Sequence, residues 1–130
     1  MNLLKKHLII WRAIEHVLYP ITEFDFDKIA NNVDIYTILK FMGESEVIIS
    51  NSYHAVYWAT LMKRKVIIYK PISNKFDYLK LSQPRYTGKL ERDLLECRIY
   101  NDALEESRRA NINYCNRVKQ IIEKDKTKEK

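Results

Sequence analysis

The sequence predicts an α/β fold: a three-layer domain with a short parallel sheet and a long C-terminal helical segment. Three observations lead there. The β-branched runs Val47-Ile48-Ile49 and Val66-Ile67-Ile68 are continuous and apolar, as parallel strands are when both faces are covered. An apolar segment of helical length, Ser52 to Met62, lies between them, which gives the strand–helix–strand crossover unit. From Leu90 to Glu123 apolar residues recur at helical spacing.

Taken in order, residues 3–18 place Leu4, Leu8, Trp11, Ile14 and Leu18 close to helical spacing, while the segment HLIIW also suits the start of a strand. A first short strand is expected near 17–20, with Pro20 at its end. Residues 22–32 are acidic and loop-like. Asp25 and Asp27 have no third ligand nearby and read as solvated, so no metal site is expected. Asn31 or Asn32 is expected to cap the next helix, with Asp34 in its first turn. Ile35, Ile38, Leu39 and Met42 give that helix its stripe, and Gly43 ends it. Strands follow near 46–50 and 65–69. Between them the helix is apolar almost all round and is expected to be buried; His54, Trp58, Leu61 and Met62 share one face. Lys70 to Gln83 reads as a loop, and Pro84 and Gly88 punctuate a connector. In the last helical segment the stripe of Leu94, Leu95, Ile99 and Leu104 thins over Glu105–Arg109 and recovers at Ile112, Cys115, Val118 and Ile122. One domain is expected over 1–122, and the charged residues 123–130 are expected to be disordered.

Composition narrows the function classes. With 46% hydrophobic and 31% charged residues, this is the composition of a globular domain large enough for a real core. No apolar run reaches the ~18 residues of a membrane span, and Arg12 and Glu15 break the N-terminal run that a secretory signal would need. Cys97 and Cys115 read as small apolar residues in a reducing cytoplasm; on one continuous helix they would lie ~27 Å apart, beyond disulfide reach. The only glycines, Gly43 and Gly88, exclude the glycine-rich loops of dinucleotide and Walker A sites, and no cofactor is expected.

The net charge of +6 is unevenly placed. Residues 15–46 hold two bases against seven acids, net −5, whereas residues 63–92 hold nine bases against two acids, net +7. An anionic partner is drawn to the second region. The candidates are a phosphorylated donor, a nucleic acid or an anionic membrane surface contacted peripherally. Tyrosines scattered without a stacking-platform motif weigh against nucleic acid.

The candidate chemistry lies where strands end and helices begin, beyond the carboxyl edge of the sheet. With Asn51 or Ser50 as the cap of the central helix, His54 falls in its first turn and leans back toward the strand end. Free backbone N–H groups point the same way. Lys70, Ser73 and Lys75 come from the loop after the neighbouring strand, ~5 Å away, and are expected to close over the same crevice. His54 suits a general acid or a neutral donor to a leaving phosphate. Ser50, Asn51, Ser52, Lys70, Ser73 and Lys75 are the expected donor-binding residues.

These residues carry a resemblance. IISNSYH (Ile48–His54), Trp58, RKVII (Arg64–Ile68) and PISNKF (Pro71–Phe76) resemble, in order and spacing, the C-terminal donor-binding half of GT-B-type glycosyltransferases and the related polysaccharide pyruvyl transferases. The resemblance implies a Rossmann-like domain in which Ser50, Ser52, His54, Ser73 and Lys75 border the donor cleft. The residue after the histidine is often glycine in such proteins and is Ala55 here. The implied function is binding of a nucleotide-sugar donor in cytoplasmic surface-polysaccharide synthesis, or of phosphoenolpyruvate for pyruvyl transfer. Because GT-B enzymes have two domains, a partner domain or subunit is expected to supply the acceptor half. The remaining alternative is a non-catalytic assembly module.

Overall fold

Val47, Ile48, Ile49 and Ser50 are all buried, and the first three alternate between two cores on opposite faces of one sheet. The computed structural model describes residues 7–14, 17–19 and 21–129. The chain divides into two compact units, one up to Tyr100 and one from Asn101.

The strands of the first unit are β1 (His7–Ile14), β2 (Val17–Tyr19), β3 (Asp27–Ala30), β4 (Val47–Ser50) and β5 (Lys65–Ile68). Four of them pair in parallel, in the spatial order β3-β1-β4-β5. Helix α1 (Ile35–Gly43) connects β3 to β4, and α2 (Tyr53–Leu61) connects β4 to β5. Ile10, Ile48, Val66 and Ile68 pack on one face with Met42, Ala55, Val56, Ala59 and Phe76. Ile9, Val47, Ile49 and Ile67 pack on the other with Ile21, Tyr69, Phe24, Phe26 and the first turns of α3 (Leu90–Glu96). The three layers are therefore the α1/α2 pair, the sheet, and the 21–26 segment with α3. Alternation along β4 fills both cores because successive side chains of a strand point to opposite faces.

Several expectations change in detail. Residues 7–14 are a strand and not a helix; HLIIW is the half of the ambiguous pattern that prevailed, because a strand covered on both faces loses its period-2 signature. Residues 17–19 are extended as expected but pair antiparallel with Arg12–Ile14, outside the parallel sheet. The parallel neighbour of β1 is β3, whose polar DKIA lies within the stretch read as loop. Edge strands are short and charged, so their pattern is faint. Residues 3–6, Glu15, His16 and Pro20 of these readings lie outside the described residues.

Helix ends also differ. Asp34, not Asn31 or Asn32, caps α1, its side chain accepting from the Thr37 N–H at 3.0 Å. Helix α2 ends in the paired 6→1 and 5→2 bonds of a Schellman turn, Arg64 N–H to Ala59 O and Lys63 N–H to Thr60 O. Lys63 holds the left-handed position there, with φ 60°. The C-terminal segment breaks over 97–102, earlier than the thinning of its stripe suggests. The Gln83 side chain explains the break: its Nε2 donates to Arg98 O (3.0 Å) and its Oε1 accepts from Arg98 N–H (3.3 Å), replacing a helical ladder at that point. Cys97 Sγ donates to Val66 O at 3.4 Å, and burial pushes its thiol up to about 11. Cys97 ends α3, so the two cysteines do not share one helix.

The second unit is α4 (Ala103–Lys128), 26 residues long and therefore about 39 Å at 1.5 Å per residue. Glu105 and Glu106 in its first turn and Lys126 and Lys128 in its last complement the helix dipole. The helix continues through 123–128, residues whose composition predicts no order. Among the described residues no helix is long and apolar enough to cross a membrane.

Candidate functional site

Because β4 and β5 run parallel, the turns that follow them open at the same edge of the sheet. At β4 the turn is built by serines. Ser50 Oγ donates to Ile10 O on β1 (2.6 Å) and accepts from the Ser52 N–H (3.0 Å). Ser52, rather than Asn51 or Ser50, is the N-cap of α2, accepting from the Ala55 N–H at 3.4 Å. It also accepts from Asn31 Nδ2 at 3.0 Å, which ties the end of β3 to the start of α2. Ser50, Asn51 and Ser52 are all buried. The Ser50 hydroxyl, expected among the donor-binding groups, is engaged in building the edge.

His54 is exposed in the first turn of α2, and its ring meets Tyr53 edge-on at 5.8 Å. It lines a cleft of about 290 Å³ with Asn31, Val33, Ile35, Ile38, Ser52, Ala55 and Trp58. The walls come from α1 and its approach on one side and α2 on the other. Trp58 remains 38% exposed and Ile35 46% exposed, so the face of α2 that was expected to be buried is partly open to this cleft. The lining holds no Lys or Arg among the described residues. Asp34 lies between Val33 and Ile35, and the Thr37 hydroxyl and N–H hold its carboxyl below its ordinary value.

The second turn lies beside the first, without sharing the cleft. Tyr69 N–H donates to Ser50 O at 2.9 Å, and the Tyr53 ring packs on Phe76 at 5.6 Å. The loop therefore flanks α2 on the side of Tyr53, while His54 faces the cleft. Lys70, Ser73 and Lys75 line no part of that cleft, a correction to the single crevice read from the sequence. Lys70 has φ 40° and sets its Nζ 5.2 Å from the centre of the Tyr69 ring. Ser73 caps the short 3₁₀ turn Asn74–Tyr78, accepting from the Lys75 N–H at 3.2 Å. Lys70 and Lys75 are exposed. Among the described residues no group of three or more His, Cys, Asp or Glu is placed to hold a metal ion.

Asn31, Val33, Ile35, Ile38 and Trp58 were not singled out as site residues by the sequence. Ile35 and Ile38 sit in an ordinary helical stripe, and Asn31 resembles a cap. Only the pairing of β3 beside β1 brings them to the start of α2.

On the opposite face of the sheet, Tyr69 and Tyr86 donate their hydroxyls to the two oxygens of Glu23, at 2.6 and 2.9 Å. Phe24 and Phe26 stack beside them. The bonds from Tyr69 and Tyr86 hold the Glu23 carboxyl below 4.5, with Lys70 adding its charge. The bond to Glu23, then burial, then the Glu23 charge push the Tyr69 phenol up to about 12. The signs follow. Tyr69 favours folding while it is protonated, so its contribution is complete below pH 10.0 and is lost as pH rises through about 12. Glu23 favours folding while ionised, so its contribution is complete above pH 4.5 and is lost as pH falls below that value. Glu23→Gln is expected to bring the Tyr69 phenol back toward 10.0, read as tyrosinate absorbance in an alkaline titration. An unchanged titration curve would count against this arrangement.

Fold and site together define the class: a parallel α/β domain with a half-open cleft at the carboxyl edge of its sheet. No protein-family model, no curated protein and no solved structure matches the chain.

Proposed function

We propose that this domain binds a phosphorylated donor, a nucleotide-sugar, at the carboxyl edge of its sheet, as the donor half of a glycosyltransferase-type protein. The observation that carries the reading is the position of the cleft. It opens at the N-terminus of α2, with Asn31, Ser52 and His54 at its polar end and Trp58 and Ile35 on its apolar wall. Ligands of parallel α/β folds gather at this edge.

The first N–H groups of α2 have no acceptor within the helix and favour a negative charge. His54 lies among them, exposed, and suits hydrogen bonding to the phosphate that leaves with the nucleotide. Lys75, in the 3₁₀ turn whose Phe76 packs on Tyr53, adds positive charge as the leaving group develops. The exposed Lys75 after β5 supports an anionic ligand at this edge, whereas Lys63, Arg64 and Lys65 of the basic 63–92 region stand at the start of β5, the opposite end of the sheet. Its place in cytoplasmic surface-polysaccharide synthesis rests on the sequence resemblance, and peripheral contact with an anionic membrane surface rests on the basic balance of residues 63–92.

Calorimetry with UDP, CMP, GDP and phosphoenolpyruvate tests the reading. One nucleotide is expected to bind, and His54→Ala is expected to weaken it about tenfold, the loss of one hydrogen bond to a charged group worth roughly 1.5 kcal/mol. Phosphoenolpyruvate binding in place of any nucleotide would move the assignment to pyruvyl transfer. Binding by none of the four would leave an assembly role.

A further inference from the structure

Helix α4 carries an apolar stripe that is open to solvent. Among its described residues Ala103 alone is buried. Leu104, Ile112, Tyr114, Ile121 and Ile122 are each 39% exposed or more. They are not spread evenly around the helix. At ~100° per residue, Leu104, Cys115, Val118 and Ile122 fall within ~60° of one another, with Ile112 on one flank and Tyr114 and Ile121 on the other. The opposite side carries Glu106, Arg109, Asn113, Asn116, Gln120 and Lys124. Helices in proteins draw most of their stability from packing such a stripe against another surface.

The charges along the stripe indicate what that surface is. Alternating steps of four and three residues, the spacing of a coiled-coil seam, run from Leu104 through Arg108, Asn111, Cys115, Val118 and Ile122 to Asp125. Arg108 and Asp125 are the charged members of the seam, one toward each end, and both are exposed. Two copies of the helix laid parallel would set Arg108 against Arg108 and Asp125 against Asp125. Laid antiparallel, with Cys115 of one copy opposite Val118 of the other, the same seam sets Arg108 opposite Asp125 at both ends. This register overlaps the two helices over almost their whole length. On one flank it brings Tyr114 near Ile121 of the second copy, and on the other it brings Glu105 near Lys126. Antiparallel packing also sets the positive end of each helix dipole beside the negative end of the other.

We propose that α4 docks on α4 of a second copy of this chain, as an antiparallel two-helix pair centred between Cys115 and Val118. The contact is isologous: each copy gives Arg108 at one end and Asp125 at the other. The inference is independent of the donor-binding reading. Cys115, Val118 and Ile122 fill only the middle of the seam, and Asn111 faces Ile122, so the expected affinity is micromolar.

Sedimentation equilibrium of the full chain across the micromolar range tests the proposal. A monomer–dimer equilibrium is expected, and Ile122→Asp, at a 50% exposed position, is expected to abolish it. Arg108→Glu and Asp125→Arg each set like charges together at both ends, and each is expected to weaken the dimer about tenfold. The double variant restores both pairs and is expected to recover the parent affinity, which separates a lost contact from a folding defect. Val118→Cys puts a thiol opposite Cys115 of the second copy, and mild oxidation is expected to cross-link this variant faster than the parent, whose Cys115 residues stand ~4.5 Å apart along the axis. A chain that stays monomeric throughout overturns the proposal and leaves the stripe to a different protein. A dimer that survives Ile122→Asp overturns it by placing the contact elsewhere. Single charge variants without effect, a double variant no better than either, or a parent that cross-links as fast as Val118→Cys would each overturn the antiparallel register.

Discussion

Replacing Ile48 with alanine is expected to lower the free energy of unfolding by about 3–4 kcal/mol. Ile48 is fully buried in the middle of β4. Its strand is flanked by β1 and β5, with Leu8 and Val66 in register on either side. On its face Ala55, Val56 and Ala59 of α2 and Met42 of α1 close the core. Neighbours fixed by backbone pairing on both sides relax little, so the removed methylenes leave a cavity as well as a lost transfer energy. Urea denaturation reads the effect as a lower midpoint with an unchanged slope. Val33→Ala, at a 38% exposed position, is expected to cost no more than about 0.5 kcal/mol and provides the contrast. A loss below about 1 kcal/mol at Ile48 would mean that β4 is not the interior strand.

The crossover from β4 through α2 to β5 was legible because its signals agree: two β-branched runs and an apolar segment of helical length between them. The strand at β1 was only half legible. Leu8, Ile9, Ile10 and Trp11 are continuous, and continuity is shared by a buried strand and a buried helix. β3 left almost no signal, since an edge strand of four residues with Asp27 and Lys28 exposed satisfies few local preferences. This miss propagated to the site. Without β3 beside β1, nothing places Asn31 and Ile35 next to His54, and the crevice was assigned to the Lys70–Lys75 loop instead. The short side-chain ladders are long-range and equally silent. Gln83 lies 15 residues from the Arg98 backbone that it clamps, and Glu23 lies 46 residues from Tyr69. Residue type announces such groups as polar, but only the fold supplies their partners.

Ser50 separates the two meanings of a serine-rich turn. As a ligand-binding residue it would be exposed, and its loss would reduce affinity with little effect on folding. Its surroundings argue the opposite. It is fully buried, donates to Ile10 O at 2.6 Å and accepts from the Ser52 N–H at 3.0 Å, so one hydroxyl joins β1, β4 and the cap of α2. Its own carbonyl receives the Tyr69 N–H, which adds the start of the neighbouring loop. Ser50→Ala takes the hydroxyl partner from two polar groups at a buried site, and such groups cost about 1–3 kcal/mol each when left unmade. A net loss of roughly 2–3 kcal/mol is expected, measured by denaturant unfolding. Ser73→Ala, which removes the cap of the 3₁₀ turn, is expected to cost about 1 kcal/mol or less. Nucleotide affinity measured on folded Ser50→Ala is expected to stay within about twofold of the parent, while His54→Ala loses about tenfold with little change in stability. The reverse pattern, a stable Ser50→Ala that no longer binds, would return this hydroxyl to the ligand and require the edge to be held together by other groups.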